Sequence, residues 1–391
     1  MASGPTGRPA TIYDVAALAK LSIATVSRVL QGTGPVSAKA RARVDHAAHE
    51  LNYVPLRAAR SLAVQRHEAH GLVLPDLAGP FYGDLLMGYE RWAGEHGQSV
   101  ILTVTHGNPD PARSLRDLAG RVDGIVVHGN ALDLPAVQGL RRANVPVVLV
   151  AHPPVPGCDS VRTESASSAE QLTARLLDHG RTRLLFVGDP ASSYDVSERY
   201  AGFSAALRAR GLDVPEPERV PLTEEAGAAF ATSLLAEADG ARGAVGAGRG
   251  AAGGELRRSA GTGPGRERGA ASERGPAPER GRGPGPDALV CANDELALAI
   301  LKTLGEGGID VPDDVVVTGW DDVMAARYVS PGLTTVRQPM AELGRLAAQR
   351  LAERITGERT RGRNDVLGTE LVLRGSCGTA PGERQAARST G

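Results

Sequence analysis

What most constrains the fold is a set of short, unbroken runs of Val, Ile and Leu recurring from residue 71 onward. They are GLVLPD (71–76), SVILTV (99–104), DGIVVHG (123–129) and VPVVLVAH (145–152), then RLLFVGD (183–189), the strand-like RVPL (219–222), ALVCAND (288–294) and VVVTGWDD (315–322). Helical patterns lie between them at 81–95, 111–120, 135–143, 165–179, 198–210, 224–238 and 295–306. Strands with one wet face alternate apolar and polar residues, whereas continuous apolar runs mark strands covered on both faces. The pattern therefore predicts parallel sheets in an α/β architecture, in two successive series that face a cleft. Ligands of such sheets bind beyond the carboxyl ends of the strands. The residues there are Asp76, Phe81, Tyr82, Asn130 and His152.

The first 66 residues read differently. Thr11 with Asp14 three residues on is a capping-box-like helix start, followed by Val15, Ala16, Leu18 and Ala19 as one apolar face. Lys20-Leu21 breaks that pattern, and Ser22 with Thr25 offers a second N-cap. The second helix turns Val26, Val29 and Leu30 inward and leaves Ile23, Ala24, Thr25, Ser27 and Arg28 outside. Small residues permit close approach to a major groove, hydroxyls hold phosphates and Arg bonds a base edge or a phosphate. The alternative is an ordinary helical hairpin with a solvated face. A third helix after Gly32-Thr33-Gly34-Pro35 carries Val44, Ala47, Ala48 and Leu51 inward, with Lys39, Arg41 and Arg43 outside. After Asn52-Tyr53, the Pro-initiated segment 55–62 is too short to be a stable helix alone. Residues 1–66 hold 9 Lys and Arg against 3 Asp and Glu, a balance of +6 in a chain whose net charge is −1. That local excess is the footprint of a polyanion partner.

TIYDVAALAKLSIATVSRVLQGTGPVSAKARARV, then ELNYVP and ARSLA, closely resembles the DNA-binding headpiece and hinge of the lactose-repressor (LacI/GalR) family. The likeness continues through VLPDLAGPFY, SERYAGFSAAL, CANDELALAIL, VPDDVVVTGWDD, PGLTTVRQP and TELVLRGS. It implies an all-α helix-turn-helix headpiece plus an α/β periplasmic-binding-protein-like core of two Rossmann-like subdomains. The expected divisions are a disordered N-terminus (1–9), headpiece (10–54), hinge helix (55–64), core (65–376) and disordered tail (377–391). Within the core, one subdomain would take about 70–161 and 338–365, the other about 162–337 and 366–376.

The resemblance further implies a homodimer on a pseudo-palindromic double-stranded DNA operator, controlled by a small-molecule effector of the sugar class. Ile23, Ala24 and Arg28 match base-reading positions, while Thr11, Tyr13, Ser22, Thr25, Ser27 and Tyr53 would mainly position phosphates. In the hinge, Arg57, Ala59 and Leu62 join the DNA set. Leu62 would wedge open the central base step or, alternatively, pack against its partner hinge. Arg199, Asn293 and Asp321 match polar effector positions, with Phe81, Tyr82 and Trp320 on the cleft wall and His152 beside them. The plain alternatives are a surface ion pair for Arg199 and Asp321, a core side chain for Trp320, and a structural role for His152. Three departures stand out: Lys20 where the family usually has Gly, and Ala151 and Thr163 where acids are frequent.

One stretch fits neither half. Residues 241–286 contain Val245 and Leu256 as their only large apolar residues, so they are expected to be a disordered insertion. Two readings stay open: a Gly/Arg-rich loop adding nonspecific nucleic-acid affinity, and out-of-frame translation of GC-rich DNA.

Several classes are disfavoured. No run of apolar residues is long enough for a membrane span, and MASGPTGRPA lacks a signal peptide's apolar core. Cys158, Cys291 and Cys377 show no metal-ligand spacing and read as reduced thiols, which points to the cytoplasm. Neither cofactor nor metal is expected, and no Walker A, nucleophile elbow or metal cluster supports an enzyme. Aromatic residues at 3% argue against a base-stacking single-strand binder. A solute-binding protein without DNA function is the main rival, and the basic headpiece argues against it.

Overall fold

The computed structural model describes residues 8–32, 34–54, 66–79, 81–249, 285–358 and 362–378. It separates into one unit through Glu68 and another from Ala69 onward.

The first unit holds α1 (Ile12–Ala19), α2 (Ile23–Gln31) and α3 (Ala38–Glu50). Its core is Val15, Ala16, Ala19, Val26, Val29, Val44 and Ala47, flanked by Ile12, Leu21, Leu30, Val36, Ala48, Leu51 and Tyr53. Leu18 does not join it and is 41% exposed. With only two neighbouring helices to cover α1, the buried stripe centres on the i, i+4 pair Val15 and Ala19, and position 18 falls on its flank.

In the second unit the chain runs β1 (Ala69–Leu74), α4 (Phe81–Glu95), β2 (Ser99–Val104), α5 (Pro111–Ala119), β3 (Gly124–His128), α6 (Leu134–Arg142), β4 (Val147–Val150) and β5 (Asp159–Thr163). It continues with α7 (Ala166–Asp178), β6 (Leu184–Val187), α8 (Tyr194–Ala209), α9 (Glu224–Arg249), β7 (Ala288–Cys291), α10 (Asp294–Glu306) and β8 (Val316–Thr318). Then come α11 (Ala325–Tyr328), β9 (Thr335–Arg337), α12 (Met340–Thr356), β10 (Asn364–Leu367), β11 (Glu370–Val372) and a helical turn at Gly375–Cys377.

Two parallel sheets result. One has the order β10-β5-β4-β3-β1-β2, and the other is β6-β7-β8. Central strands β1, β3, β4 and β7 are buried throughout, as their unbroken apolar runs require. The chain crosses between the two halves after β5, after β9 and after β10, where β11 returns to pair antiparallel with β9. Helix α12 packs on α4 at a close crossing. A Cβ on Gly88 would sit 1.9 Å from the Ala341 carbonyl oxygen, and one on Gly344 would sit 2.1 Å from that of Leu85.

Some elements differ from expectation. RVPL is not a strand; one bridge from Glu218 to Val187 is all that pairs there. Pro215, Pro217 and Pro221 remove the donors a ladder needs. Strand β5 escaped the apolar pattern because its sequence is DSVRT. Helix α9 runs nine residues into 241–286. Cys377, placed in the polar tail, is 4% exposed and belongs to the core of β6, β7 and β8. Arg8, assigned to the N-terminal tail, reaches Asp14 at 3.4 Å. No described helix is long and apolar enough to cross a membrane.

Candidate functional site

Two sites follow from this architecture, one in each unit. In the first, Ser22 caps α2: its hydroxyl accepts from the Thr25 amide at 3.2 Å and lies 2.8 Å from the Thr25 hydroxyl. The helix therefore starts abruptly, with Ser22, Ile23 and Ala24 exposed and Arg28 exposed a turn further on. Tyr13 is 67% exposed on α1, whereas Ser27 is half-buried and Tyr53 packs against the core. Thr11 has its hydroxyl proton committed, donating to Asp14 Oδ2 at 2.7 Å. That bond, with one from the Thr11 amide, holds the half-buried Asp14 carboxyl below its ordinary range. Arg57, Ala59 and Leu62 lie outside the described residues.

The turn before α2 keeps left-handed geometry at Lys20, with φ 52° and ψ 46°. A side chain there is strained. The Arg43 guanidinium on α3 donates to the carbonyls of Ala19 and Lys20, satisfying groups that a helix end leaves orphaned. Arg43 was read from the sequence simply as an outward charge.

In the second unit, Trp320, Asp321 and Asp322 form a tight turn after β8. Asp321 and Asp322 both have positive φ, at 116° and 56°. What holds the turn is Asp322. Its fully covered carboxylate accepts from Arg374, from Arg337 at 2.7 Å and from Arg327 at 3.5 Å. Burial alone would raise its pKa, but the bonds and charges of Arg374 and Arg337 outweigh that and keep it ionised. The turn presents Asp321, whose Oδ1 accepts from Gln338 Nε2 at 2.6 Å, while Gln338 Oε1 accepts from the Thr163 hydroxyl at 2.6 Å. Burial pushes the Asp321 carboxyl up to about 6, against the pull of Arg199 and Gln338.

Arg199, on α8 and 6% exposed, stands over the Trp320 ring at 4.6 Å and donates to the Ala292 carbonyl. Burial lowers its pKa, opposed by Asp321, Asp195 and Asp294. Trp320 is 2% exposed, so the core and cleft-wall readings both describe it. Across from them Phe81 and Tyr82 pack with ring centroids 4.0 Å apart, beside buried His128. Burial takes His128 down to about 4; burial, then Asp76 and Asp321, takes Tyr82 up to about 12. Asp321 thus lies near enough to Tyr82 to act on it electrostatically. Loops of the two halves also meet: Asn130 Nδ2 donates to the Ser192 carbonyl at 2.9 Å. A Cβ on Gly79 would lie 3.7 Å from Glu295 Oε2.

Two of the expected effector residues have partners within the chain. Asn293 is the N-cap of α10, its Oδ1 accepting from the Leu296 amide and its Nδ2 donating to the Leu222 carbonyl at 3.1 Å. His152 has Nδ1 2.7 Å from the Pro153 carbonyl, and among the described residues no contact joins it to Arg199 or Asp321. Asp195 lies one turn before Arg199 on α8, at i, i+4 spacing.

The unit 11–55 matches a family model described as bacterial regulatory proteins, lacI family. Residues 67–235 match the periplasmic binding proteins and sugar binding domain of LacI family, and 173–377 match a periplasmic binding protein-like domain. The HTH-type transcriptional regulator CelR of Thermobifida fusca is 31% identical over 94% of this chain and 98% of its own length. The chain belongs to the LacI family. The ribose operon repressor of Escherichia coli K12 is another relative, 30% identical over 94% of this chain and 99% of its own. Among solved structures, a CelR–cellobiose complex aligns with a TM-score of 0.64 at 30% identity, covering 94% and 99% of the two chains. A lac repressor dimer bound to operator and the anti-inducer ONPF aligns at 0.74 and 25% identity, covering 95% and 100%. These relatives are transcriptional regulators.

Proposed function

We propose that this LacI-family chain is a repressor that binds a pseudo-palindromic operator as a homodimer and releases or engages it in response to a sugar held in the core cleft. The observation that carries the DNA half is α2, whose cap leaves Ile23, Ala24 and Arg28 exposed at the start of a helix on a basic unit. Ile23 and Ala24 offer no side-chain hydrogen bonds, so they read apolar features such as a thymine methyl, and Arg28 reads a base edge or phosphate. Ser22, Thr25, Ser27, Tyr13, Thr11 and Tyr53 position the backbone, with Thr11 first giving up its bond to Asp14. Hinge residues 55–64 pair in the minor groove, where Leu62 acts as the wedge.

In the core, Arg199, Asp321 and Tyr82 supply polar contacts, and Phe81 and Trp320 supply flat faces for a sugar ring. Asn293 and His152 act at one remove, through the α10 cap and the loop after β4. The cellobiose in the CelR complex supports the sugar class. Binding and release, with no turnover, and a cytoplasmic location complete the reading.

Selection of bound sequences from a random duplex pool, with full-length protein at physiological salt, tests it. A pseudo-palindrome that is lost on Leu62→Ala supports the repressor. Recovery of no motif, with only weak salt-sensitive binding, sinks the DNA half and leaves a plain sugar binder.

A further inference from the structure

The crossovers after β5 and after β9 meet through a pair of side chains. Thr163 is the last residue of β5, and Gln338 is the first beyond β9. The Thr163 hydroxyl, on a residue 2% exposed, donates to Gln338 Oε1 at 2.6 Å. Gln338 Nε2 in turn donates to Asp321 Oδ1 at 2.6 Å. Asp321 sits in a turn of positive φ, where no regular element directs its side chain. Its amide donates to the Val336 carbonyl of β9 at 2.8 Å. Backbone and carboxylate of Asp321 are therefore both anchored at the β9 crossover, and Thr163 extends that anchor to β5.

Each bond in this relay has only one workable direction. An ionised carboxylate accepts and cannot donate, so the amide turns Nε2 toward Asp321 and Oε1 toward Thr163, and the hydroxyl donates. A carboxylate at position 163 would face Oε1 with no proton to give, and Val would leave Oε1 without a donor. Among the described residues, no hydrogen bond engages the second oxygen of Asp321, Oδ2. The preceding residue, Trp320, likewise keeps a buried Nε1 without a partner among the described residues. A group that both donates and accepts satisfies the two together, and a sugar hydroxyl is such a group.

We propose that Thr163 is a positioning residue for the effector site: acting through Gln338, it fixes the Asp321 carboxylate and leaves Oδ2 to accept a hydroxyl of the bound sugar. This rests on the reading that the core binds a sugar. Thr163 and Gln338 both border crossovers, so a ligand that draws on Asp321 also draws on the strands about which the two halves turn. The grip on the ligand and the hinge are joined by two hydrogen bonds.

Two readouts on the full-length protein test this, one of them free of any ligand. Thr163→Val keeps the shape without the hydroxyl, Thr163→Ser keeps the hydroxyl, and Gln338→Met removes the amide. The relay favours ionised Asp321, so its loss costs most where Asp321 is ionised. The melting-temperature deficit of Gln338→Met should be larger at pH 7.5 than at pH 4 by on the order of 2–4 °C. Thr163→Val should show a smaller excess of the same sign, Thr163→Ser none, and the excess should vanish in an Asp321→Asn background. The other titratable groups that interact with Asp321 are Arg199 and Asp195 on α8, Asp294 and Glu295 on α10, and Tyr82 on α4, and these substitutions leave them in place. Calorimetry with cellobiose, glucose and ribose is the second readout. Any of them that the parent binds should bind about fivefold more weakly to Thr163→Val and recover in Thr163→Ser. A deficit equal at both pH values, or unchanged by Asp321→Asn, makes Thr163 a packing residue and overturns the proposal, as does parental sugar affinity in Thr163→Val. If the pH-linked excess appears but none of the three sugars binds while operator binding persists, the sugar reading falls and takes the role of Oδ2 with it.

Discussion

Asp321 shows how a single carboxylate sets a compromise between stability and binding. Its carboxyl is raised to about 6 by burial, above the ordinary value near 3.8. Between those values the folded protein holds more protons than the unfolded chain, so stability falls as pH rises through the window. The cost is absent below about pH 4, where both states are protonated, and complete above about pH 6. Asp321→Asn cannot ionise, yet its amide oxygen still accepts from Gln338. It should match the parent at pH 4 and exceed it at pH 7.5 by on the order of 2 kcal/mol. Melting curves at the two pH values check this. The same variant should lose the calorimetric signal of any sugar the parent binds. Asn293 makes the opposite point. A sequence motif places it among effector residues, and its oxygen also caps α10. Asn293→Ala should therefore lower core stability by about 1 kcal/mol, with or without sugar. A residue-type match finds polar groups at a strand end and is silent on which are consumed by their own backbone.

At the scale of elements, the turn between α1 and α2 holds a non-glycine residue in left-handed geometry. Lys20 keeps the left-handed conformation that Gly would occupy freely, and Arg43 ties the carbonyls on either side of it to α3. Lys20→Gly should stabilise the headpiece by about 1 kcal/mol, since the Cβ clash of a left-handed residue costs roughly 1–2 kcal/mol. Arg43→Ala should destabilise it by about 1.5–3 kcal/mol, the usual worth of a hydrogen bond with one charged partner. Guanidinium melts of the headpiece transition in the full-length protein measure both, and an unchanged midpoint in Arg43→Ala would refute the clamp. Local pattern made much of the architecture legible: apolar runs mark β1, β3, β4 and β7 because central parallel strands are buried on both faces. The same logic hid β5, whose DSVRT sequence carries polar groups with specific partners. Its Ser160 donates to Asn364 and its Thr163 to Gln338. It also promoted RVPL to a strand although flanking prolines strip its donors. At the cleft, sequence motifs indicate Arg199 and Asp321, whereas the stacking of Arg199 on Trp320 emerges only when α8 is set against the turn after β8.

Across the whole molecule, charge is divided by unit. Residues 1–66 carry +6 while the full chain carries −1, which leaves −7 on the remainder. The bulk pI near 6.8 conceals this, because it averages a polyanion-binding face with a core that repels polyanions. Binding to DNA should therefore come from the headpieces alone and be strongly salt-dependent, since each phosphate neutralised by Lys or Arg releases counterions. At pH 7.5 the intact protein should be retained on a heparin column despite its net negative charge. A chain lacking residues 1–68 should flow through. Plotted as the logarithm of operator affinity against the logarithm of salt, the data should fall on a line. Substituting an exposed cation of α3 such as Arg41 should lower its slope by about one for each headpiece, as loss of a phosphate contact would. Arg28→Ala separates the two kinds of contact. If Arg28 reads a base, operator affinity drops by about 1–3 kcal/mol per half-site and the preference at that base relaxes. Affinity for random duplex at the same salt then falls much less. Equal losses on operator and random duplex would instead assign Arg28 to a phosphate, leaving base recognition to the apolar contacts of Ile23 and Ala24 at the exposed start of α2.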